Sequence, residues 1–384
     1  MLKLCKLMAV DPGGNVMPKR KHLPWIYLVL MPAVILGLVT FSSQSKGQAV
    51  SDEIQLQDEE PLFRIWADGK IGFIDHTGKV VIDPKFDIAL YFSDGLAQVR
   101  IGDSETGKWG YIDRTGALVI SPQFDATRDF SDGLASVRIG PVETGKWGCI
   151  DHTGAYVVNP QFNYIDEFSD GLALVENSDK YGYMDRMGKI VIDPKFDNAG
   201  RFADGLARVC IYDRWGYIDH MGNYVINPQF YYASDFSGGL ALVRIENWDT
   251  GSYAYIDRTG EYAINQQFDW VSSFFEGLAT VRIGNWGTGI KYGFIDRTGA
   301  CIIEPQFDDT FGFSDGLALV RIDDKWGYID HTGAFAINPQ FDFASSFSDG
   351  LAFVRIGDKW GYIDHTGEFI WETTESPPGE NRQL

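Results

Sequence analysis

The 384-residue sequence is poor in the residues from which most catalytic and metal centres are built. It holds four cysteines and six histidines, and one of each, Cys5 and His22, lies in the first 49 residues. Cys149, Cys210 and Cys301 occupy three different places in the pattern described below, so they make neither a disulfide framework nor a metal quartet. No G-x-S-x-G, no Gly-rich phosphate loop and no D-x-D-x-D-G calcium loop occurs. Positive charge is scarce as well, with 33 Lys and Arg against 53 Asp and Glu and a net charge of −20. That field repels phosphate backbones and makes nucleic acid a poor partner.

Long apolar runs are absent apart from one. Lys19, Arg20, Lys21 and His22 precede residues 23–41, nineteen residues without a charge, and a polar run with a small-x-small site ends at Ala49. A basic flank, an apolar core and such a site predict an export signal over residues 1–49, with Met17 as an alternative start. The apolar run is also long enough to span a bilayer, so an uncleaved anchor is the competing reading. Both place the rest of the chain outside the cytoplasm, secreted or periplasmic.

What the sequence has in abundance is glycine, 43 residues, and aromatics, 14% of the chain. Both recur with a period. Aligned on the Gly of "WG", copies fall at Gly72, Gly110, Gly148, Gly182, Gly216, Ala254, Gly293, Gly327 and Gly361, with spacings of 38, 38, 34, 34, 38, 39, 34 and 34. The order of lengths repeats after four copies, as if a four-unit block had been duplicated. Each copy reads as four short strands with Gly- and Asp-containing turns, such as "SDG" and "HTG", which favour positive φ. The fourth strands are apolar on both faces ("VVI", Val80 to Ile82), so neighbouring copies must cover one another. The predicted fold is all-β: antiparallel four-stranded meanders in a propeller-like or open superhelical array. An acidic linker (50–61), a repeat domain (62–371) whose first unit lacks one strand, and a polar tail (372–384) complete the chain. No strand is evident that would seal a ring.

The repeated polar residues read mainly as turn chemistry. The Asp of "YID" appears nine times (Asp75, Asp113, Asp151, Asp185, Asp219, Asp257, Asp296, Asp330, Asp364), and nine equivalent carboxylates suit Asx turns better than a catalytic pair. His76, His152, His220, His331 and His365 share one turn position, a whole unit apart, which excludes a chelate between neighbours. The recurrent Trp109, Trp147, Trp326 and Trp360 are candidates for stacking on a ligand, against packing between units. Trp248 and Trp286 sit in longer second-to-third-strand loops and are not demanded by the repeat, so the rim of long loops is the candidate binding surface. Glu176, Glu276 and Glu304 are singletons in their units, as a hydrolase would require, but no two are marked as partners.

"KWGYIDxTGxxxIxPQF" with "FSDGLAxVR" resembles the WG-repeat, or KWG-repeat, family of bacterial β-repeat proteins over about residues 62 to 371. Ile71, Tyr181, Tyr253 and Tyr292 stand in place of Trp, and Ala254 in place of Gly, which predicts a packing position tolerant of large apolar groups. The resemblance implies a binding or scaffold module and transfers no catalytic motif, cofactor or metal. The expectation is a non-catalytic extracytoplasmic protein recognising protein or cell-envelope glycan partners, with membrane anchoring through residues 23–41 as an option. A cell-wall or polysaccharide hydrolase with carboxylates in a central channel is the alternative.

Overall fold

The computed structural model describes residues 60–102, 106–245, 252–264, 268, 270–285 and 289–378. All of them belong to the second of two compact units, Glu53–Leu384. The apolar segment 23–41, the long-loop residues Trp248 and Trp286, and all but the last two residues of the acidic linker lie outside the described residues.

Among the described residues there are 34 strands in nine antiparallel sheets and no helix. Sheet 1 has three strands, β1 (Phe63–Ala67), β2 (Lys70–Ile74) and β3 (Val80–Phe86). Sheet 2 is the full meander of β4 (Ile88–Ser93), β5 (Leu96–Ile101), β6 (Lys108–Ile112) and β7 (Leu118–Phe124). Sheets 3 to 9 repeat that order over residues 126–162, 164–196, 198–230, 232–256, 271–307, 309–341 and 343–373. In sheet 6 the fourth strand is reduced to two bridges, Tyr253 to Phe268 and Ile256 to Tyr262.

Local chemistry explains the meander. The Asp of each "YID" closes the turn between third and fourth strands: Asp75 accepts from the Thr77 and Lys79 N–H groups at 2.9 and 3.1 Å and from the Thr77 hydroxyl at 2.6 Å. The same Asx arrangement recurs in every sheet. The WG glycine is needed for space. A Cβ on Gly72 would stand 2.4 Å from the Ile82 carbonyl oxygen and 2.5 Å from the Pro84 nitrogen, and Gly110, Gly148, Gly182, Gly216, Gly293 and Gly327 meet equivalent backbone. The cause is a bulge: Ile71 pairs Phe86 while Phe73 pairs Ile82, so the fourth strand carries extra residues that press on the glycine. Proline therefore lies within the fourth strand, at this bulge, and not beyond it; the bulge is where a missing N–H breaks no ladder bond. The position is correspondingly intolerant, and Ala254 stands in the one sheet whose fourth strand is reduced to bridges.

Sheets meet face to face. Eight buried clusters each combine the third and fourth strands of one sheet with the leading segment and second strand of the next, as where Tyr328, Ile337 and Phe341 pack on Ala344, Phe347 and Val354. An open row of nine sheets would have eight such interfaces. The ninth joins Leu351, Tyr362 and Trp371 of sheet 9 to Phe63, Ile65 and Ile74 of sheet 1, so the array is a closed propeller-like ring. Polar groups reinforce the same joints. Tyr111, Tyr183, Tyr217 and Tyr328, all fully buried, donate to first-strand carbonyls of the next sheet at 2.7–2.8 Å. Ser93, Ser131, Ser169 and Ser314 donate to the Phe carbonyl of the next first strand at 2.7–2.9 Å. The turn histidines are also structural: His152, His220, His331 and His365 stack on Phe130, Phe202, Phe313 and Phe347 of the segment leading into the second strand, at 4.2–4.4 Å.

Two outcomes are expected. Gly216→Ala forces its methyl against the Ile226 carbonyl at 2.4 Å and should lower unfolding free energy by about 2 kcal/mol, measured by urea denaturation; an unchanged midpoint would remove the steric account of the motif. Hydrogen bonds from threonine hydroxyls hold Asp75, Asp113, Asp151, Asp257, Asp296 and Asp330 below the ordinary carboxylate value of 3.8. Depressed folded values stabilise above the unfolded pKa and lose that stabilisation as pH falls through them. The thermal midpoint should therefore drop progressively below about pH 4, and a midpoint insensitive to pH between 5 and 2 would contradict it.

Candidate functional site

Since the repeated residues are absorbed by turns and interfaces, a site is sought where copies differ. The segment leading into the second strand differs most. In sheets 6, 7 and 9 it carries Ser234, Ser272 or Ser345, whose hydroxyl accepts from a second-strand N–H at 2.9–3.0 Å. In sheets 3 to 5 the corresponding pairs are Arg128 and Asp129, Asp166 and Glu167, and Gly200 and Arg201.

Neighbouring first strands bring these residues together. Arg201 donates to both oxygens of Asp166, Nε to Oδ2 at 2.9 Å and Nη2 to Oδ1 at 2.8 Å, and its Nη1 reaches Glu167 at 2.5 Å. Arg128 lies 3.6 Å from Asp166 on the other side and stacks over the Tyr164 ring at 4.8 Å. One sheet further along, Arg208 pairs with Asp235 at 2.8 Å. Gly200 is glycine because that pair lies across it: a Cβ there would stand 2.6 Å from both the Arg208 Nε and the Asp235 Oδ1. On the opposite flank the buried Gln98 donates to Asp129 at 2.6 Å and accepts from the Thr127 hydroxyl.

Burial opposes ionisation of Asp166, but the Arg201 hydrogen bonds and the charges of Arg201 and Arg128 outweigh it and hold its pKa below the usual range. Asp129 is shifted the other way, because burial exceeds the help of Gln98, Arg128 and Arg201. Burial, with Asp166 nearby, pushes the Tyr164 phenol up to about 12.

A cleft of about 390 Å³ opens between sheets 4 and 5 beside these groups. Tyr164, Tyr181, Asn198, Arg201, Arg208 and Asp235 line it, with the Gly200 backbone at its floor. Tyr181 stands where other sheets place Trp, and Asn198 and Gly200 are small for their positions. The arrangement offers two ring faces beside donors and acceptors fixed by ion pairs, which suits orientation of a polar ligand. Among the described residues no group of three or more His, Cys, Asp or Glu is placed to hold a metal ion.

The sequence-derived candidates lie elsewhere. Trp109, Trp147, Trp326 and Trp360 each sit at a different sheet interface, under Arg100, Arg138, Arg321 and Arg355 at 5.0–5.7 Å, and Trp147 and Trp360 are buried. They are not brought together. Glu276 accepts from the Gly316 N–H and faces His331 at 3.5 Å, Glu176 pairs with Tyr181 across a ladder, and Glu304 lies exposed on a fourth strand. The charged cluster was missed because its members are scattered over residues 128–235, and only column-by-column alignment of the first strands marks them as departures from Ser.

Similar solved structures include Citrobacter koseri AztD (13% identity, 76% of this chain, 81% of that chain, TM-score 0.35) and Kluyveromyces lactis Hsv2p (10%, 62%, 93%, 0.37). The V. cholerae biofilm matrix protein Bap1 is another (11%, 83%, 80%, 0.31). These likenesses carry no functional argument, and no curated protein matches. The WG containing repeat pattern matches residues 71–104, 109–140, 147–181, 181–215, 215–247, 253–285, 292–326 and 326–360. With eight consecutive matches spread over most of the ring, the chain belongs to the family of proteins built from the WG containing repeat.

Proposed function

We propose that the chain is a non-catalytic binding protein acting outside the cytoplasm, and that the cleft between sheets 4 and 5 recognises a cell-envelope glycan. The supporting observation is the cleft lining: the Tyr164 and Tyr181 rings offer apolar faces for sugar C–H groups, while Asn198, Arg208 and Asp235 offer polar edges. The basic flank and apolar run at residues 19–41 support export, either with cleavage or as a retained anchor. Fusing residues 1–49 to alkaline phosphatase should give phosphatase activity outside the cytoplasm; a fusion inactive there but stable inside would sink the localisation.

Hydrolysis is the second reading, favoured by the opposite pKa shifts of Asp129 and Asp166. Against it, both Asp166 oxygens are held by Arg201, which leaves the carboxylate poorly placed to activate water.

The test is titration of the full chain with envelope glycan fragments, alongside Tyr181→Ala and Asn198→Ala. Saturable binding weakened at least tenfold in either variant is expected, with no release of reducing ends. Loss confined to Trp248→Ala or Trp286→Ala would move the site to the long-loop rim. Release of reducing ends that vanishes in Asp129→Asn would replace binding with glycoside hydrolysis.

A further inference from the structure

The cleft between sheets 4 and 5 opens where the repeat is broken, and the break changes the sign of the charge at its mouth. Counted from the Leu that follows each "SDG"-type turn, the fifth residue is Arg100, Arg138, Arg244, Arg282, Arg321 or Arg355 in six sheets. In five of these the guanidinium lies over the ring of the residue it faces on the third strand, Trp109, Trp147, Tyr253, Trp326 or Trp360, at 5.0–5.7 Å. In sheet 4 the same cross-strand pair is Glu176 and Tyr181. In sheet 5 it is Cys210 and Trp215, and Trp215 is covered by Arg208 instead, at 5.1 Å. Both sheets that bound the cleft therefore lack the arginine, and only in sheet 4 does a carboxylate replace it.

That carboxylate belongs to the cleft. Alternation along the second strand puts Glu176 on the same face as Leu174, which lines the cavity together with Tyr181. Burial first, and then the charge of Glu176 and its hydrogen bonding, raise the pKa of the Tyr181 phenol, with Asp179 adding to the effect. The nearby cations are already committed. Arg201 spends three nitrogens on Asp166 and Glu167, Arg208 holds Asp235 through Nε and the Ala233 carbonyl through Nη1 at 3.1 Å, and Lys180 pairs with Asp197. Glu176 has no basic partner among the described residues. The Tyr181 ring, unlike its five counterparts, carries no guanidinium of its own strand pair.

We propose that Glu176 makes the cleft selective for glycans that carry free, protonated amino groups. The ligand ammonium takes the place that the arginine guanidinium holds over the aromatic ring in the sibling sheets, with Glu176 as its counter-ion and the Tyr181 face as its cation–π partner. N-acetylation removes the positive charge, so an acetylated sugar leaves the carboxylate facing a neutral amide. The inference rests on the glycan reading of this cleft and adds to it the charge of the ligand.

The probes are a glucosamine tetramer and an N-acetylglucosamine tetramer of the same linkage, titrated calorimetrically into the full chain at low and high salt. The amine form should bind at least tenfold more tightly, and the preference should shrink as salt screens it. Glu176→Gln should abolish the preference. Glu176→Arg, which restores the residue of six sibling sheets and so keeps the fold, should bind the amine form no better than the acetylated one. A preference that survives in Glu176→Gln would overturn the role of this residue. Saturable binding of envelope glycan fragments with no preference for the amine form would overturn the inference and leave the glycan reading standing, whereas binding of no glycan at all would overturn both.

Discussion

A four-stranded sheet with apolar side chains on both faces has nothing to gain from standing alone in water, and every other feature of the molecule follows from covering those faces. Most interfaces bury a Phe that leads into the second strand, worth roughly 2–3 kcal/mol per side chain, against the third and fourth strands of the preceding sheet. The polar repeat residues are disposed to make the contact specific. A tyrosine phenol and a serine hydroxyl reach across each typical joint to a backbone carbonyl. Glycines of the first-strand turns donate to the aspartate of the preceding turn, as Gly133 does to Asp94 and Gly350 to Asp315. Stability is then a chain of nearest-neighbour terms, and closure adds one more joint, so that neither end sheet exposes an apolar face.

This dependence leaves little of the repeat for recognition. The tryptophans after which the motif is named support arginines at the ends of second strands, the nine turn aspartates hold backbone N–H groups, and the histidines stack on phenylalanines. Variation is tolerated only where a side chain touches no partner that every sheet needs. The segment before each second strand and the third residue of that strand meet this condition, and there Arg128, Asp166, Glu167 and Arg201 form one charged cluster while Arg208 pairs with Asp235 beside it. Phe311, Phe343 and Phe353 stand at corresponding places, so the ring has a charged side and an aromatic side. Ion pairs this partly buried add little net stability, but removing Arg201 would strand the buried Asp166.

The strands, turns and mutual covering of sheets were legible in the sequence because each depends on residues a few positions apart. Asp364 and Thr366 close their turn whatever the rest of the chain does, and the alternation in "LAFVRI" sets its buried face. Steric contacts across strands were less legible. The bulge that places Pro84 over Gly72 turned an apparently permissive position into a strict one, and nothing in a linear reading shows the carbonyl that meets the added methyl. The charged cleft was harder still, since Asp166 and Arg201 are 35 residues apart, Arg208 and Asp235 are 27 apart, and each pair meets only through the stacking of successive sheets.

By itself the sequence determined the repeat, its meander and the need of every sheet for a neighbour, because hydrophobic period and turn chemistry act locally. Only the tertiary structure decided that nine sheets return upon themselves. The accumulated rotation from sheet to sheet is a property of side-chain packing at every interface, and no single copy encodes it. It also decided that the ring closes by packing Phe63 and Ile65 against Tyr362 and Trp371, faces that meet only when all nine sheets are in place.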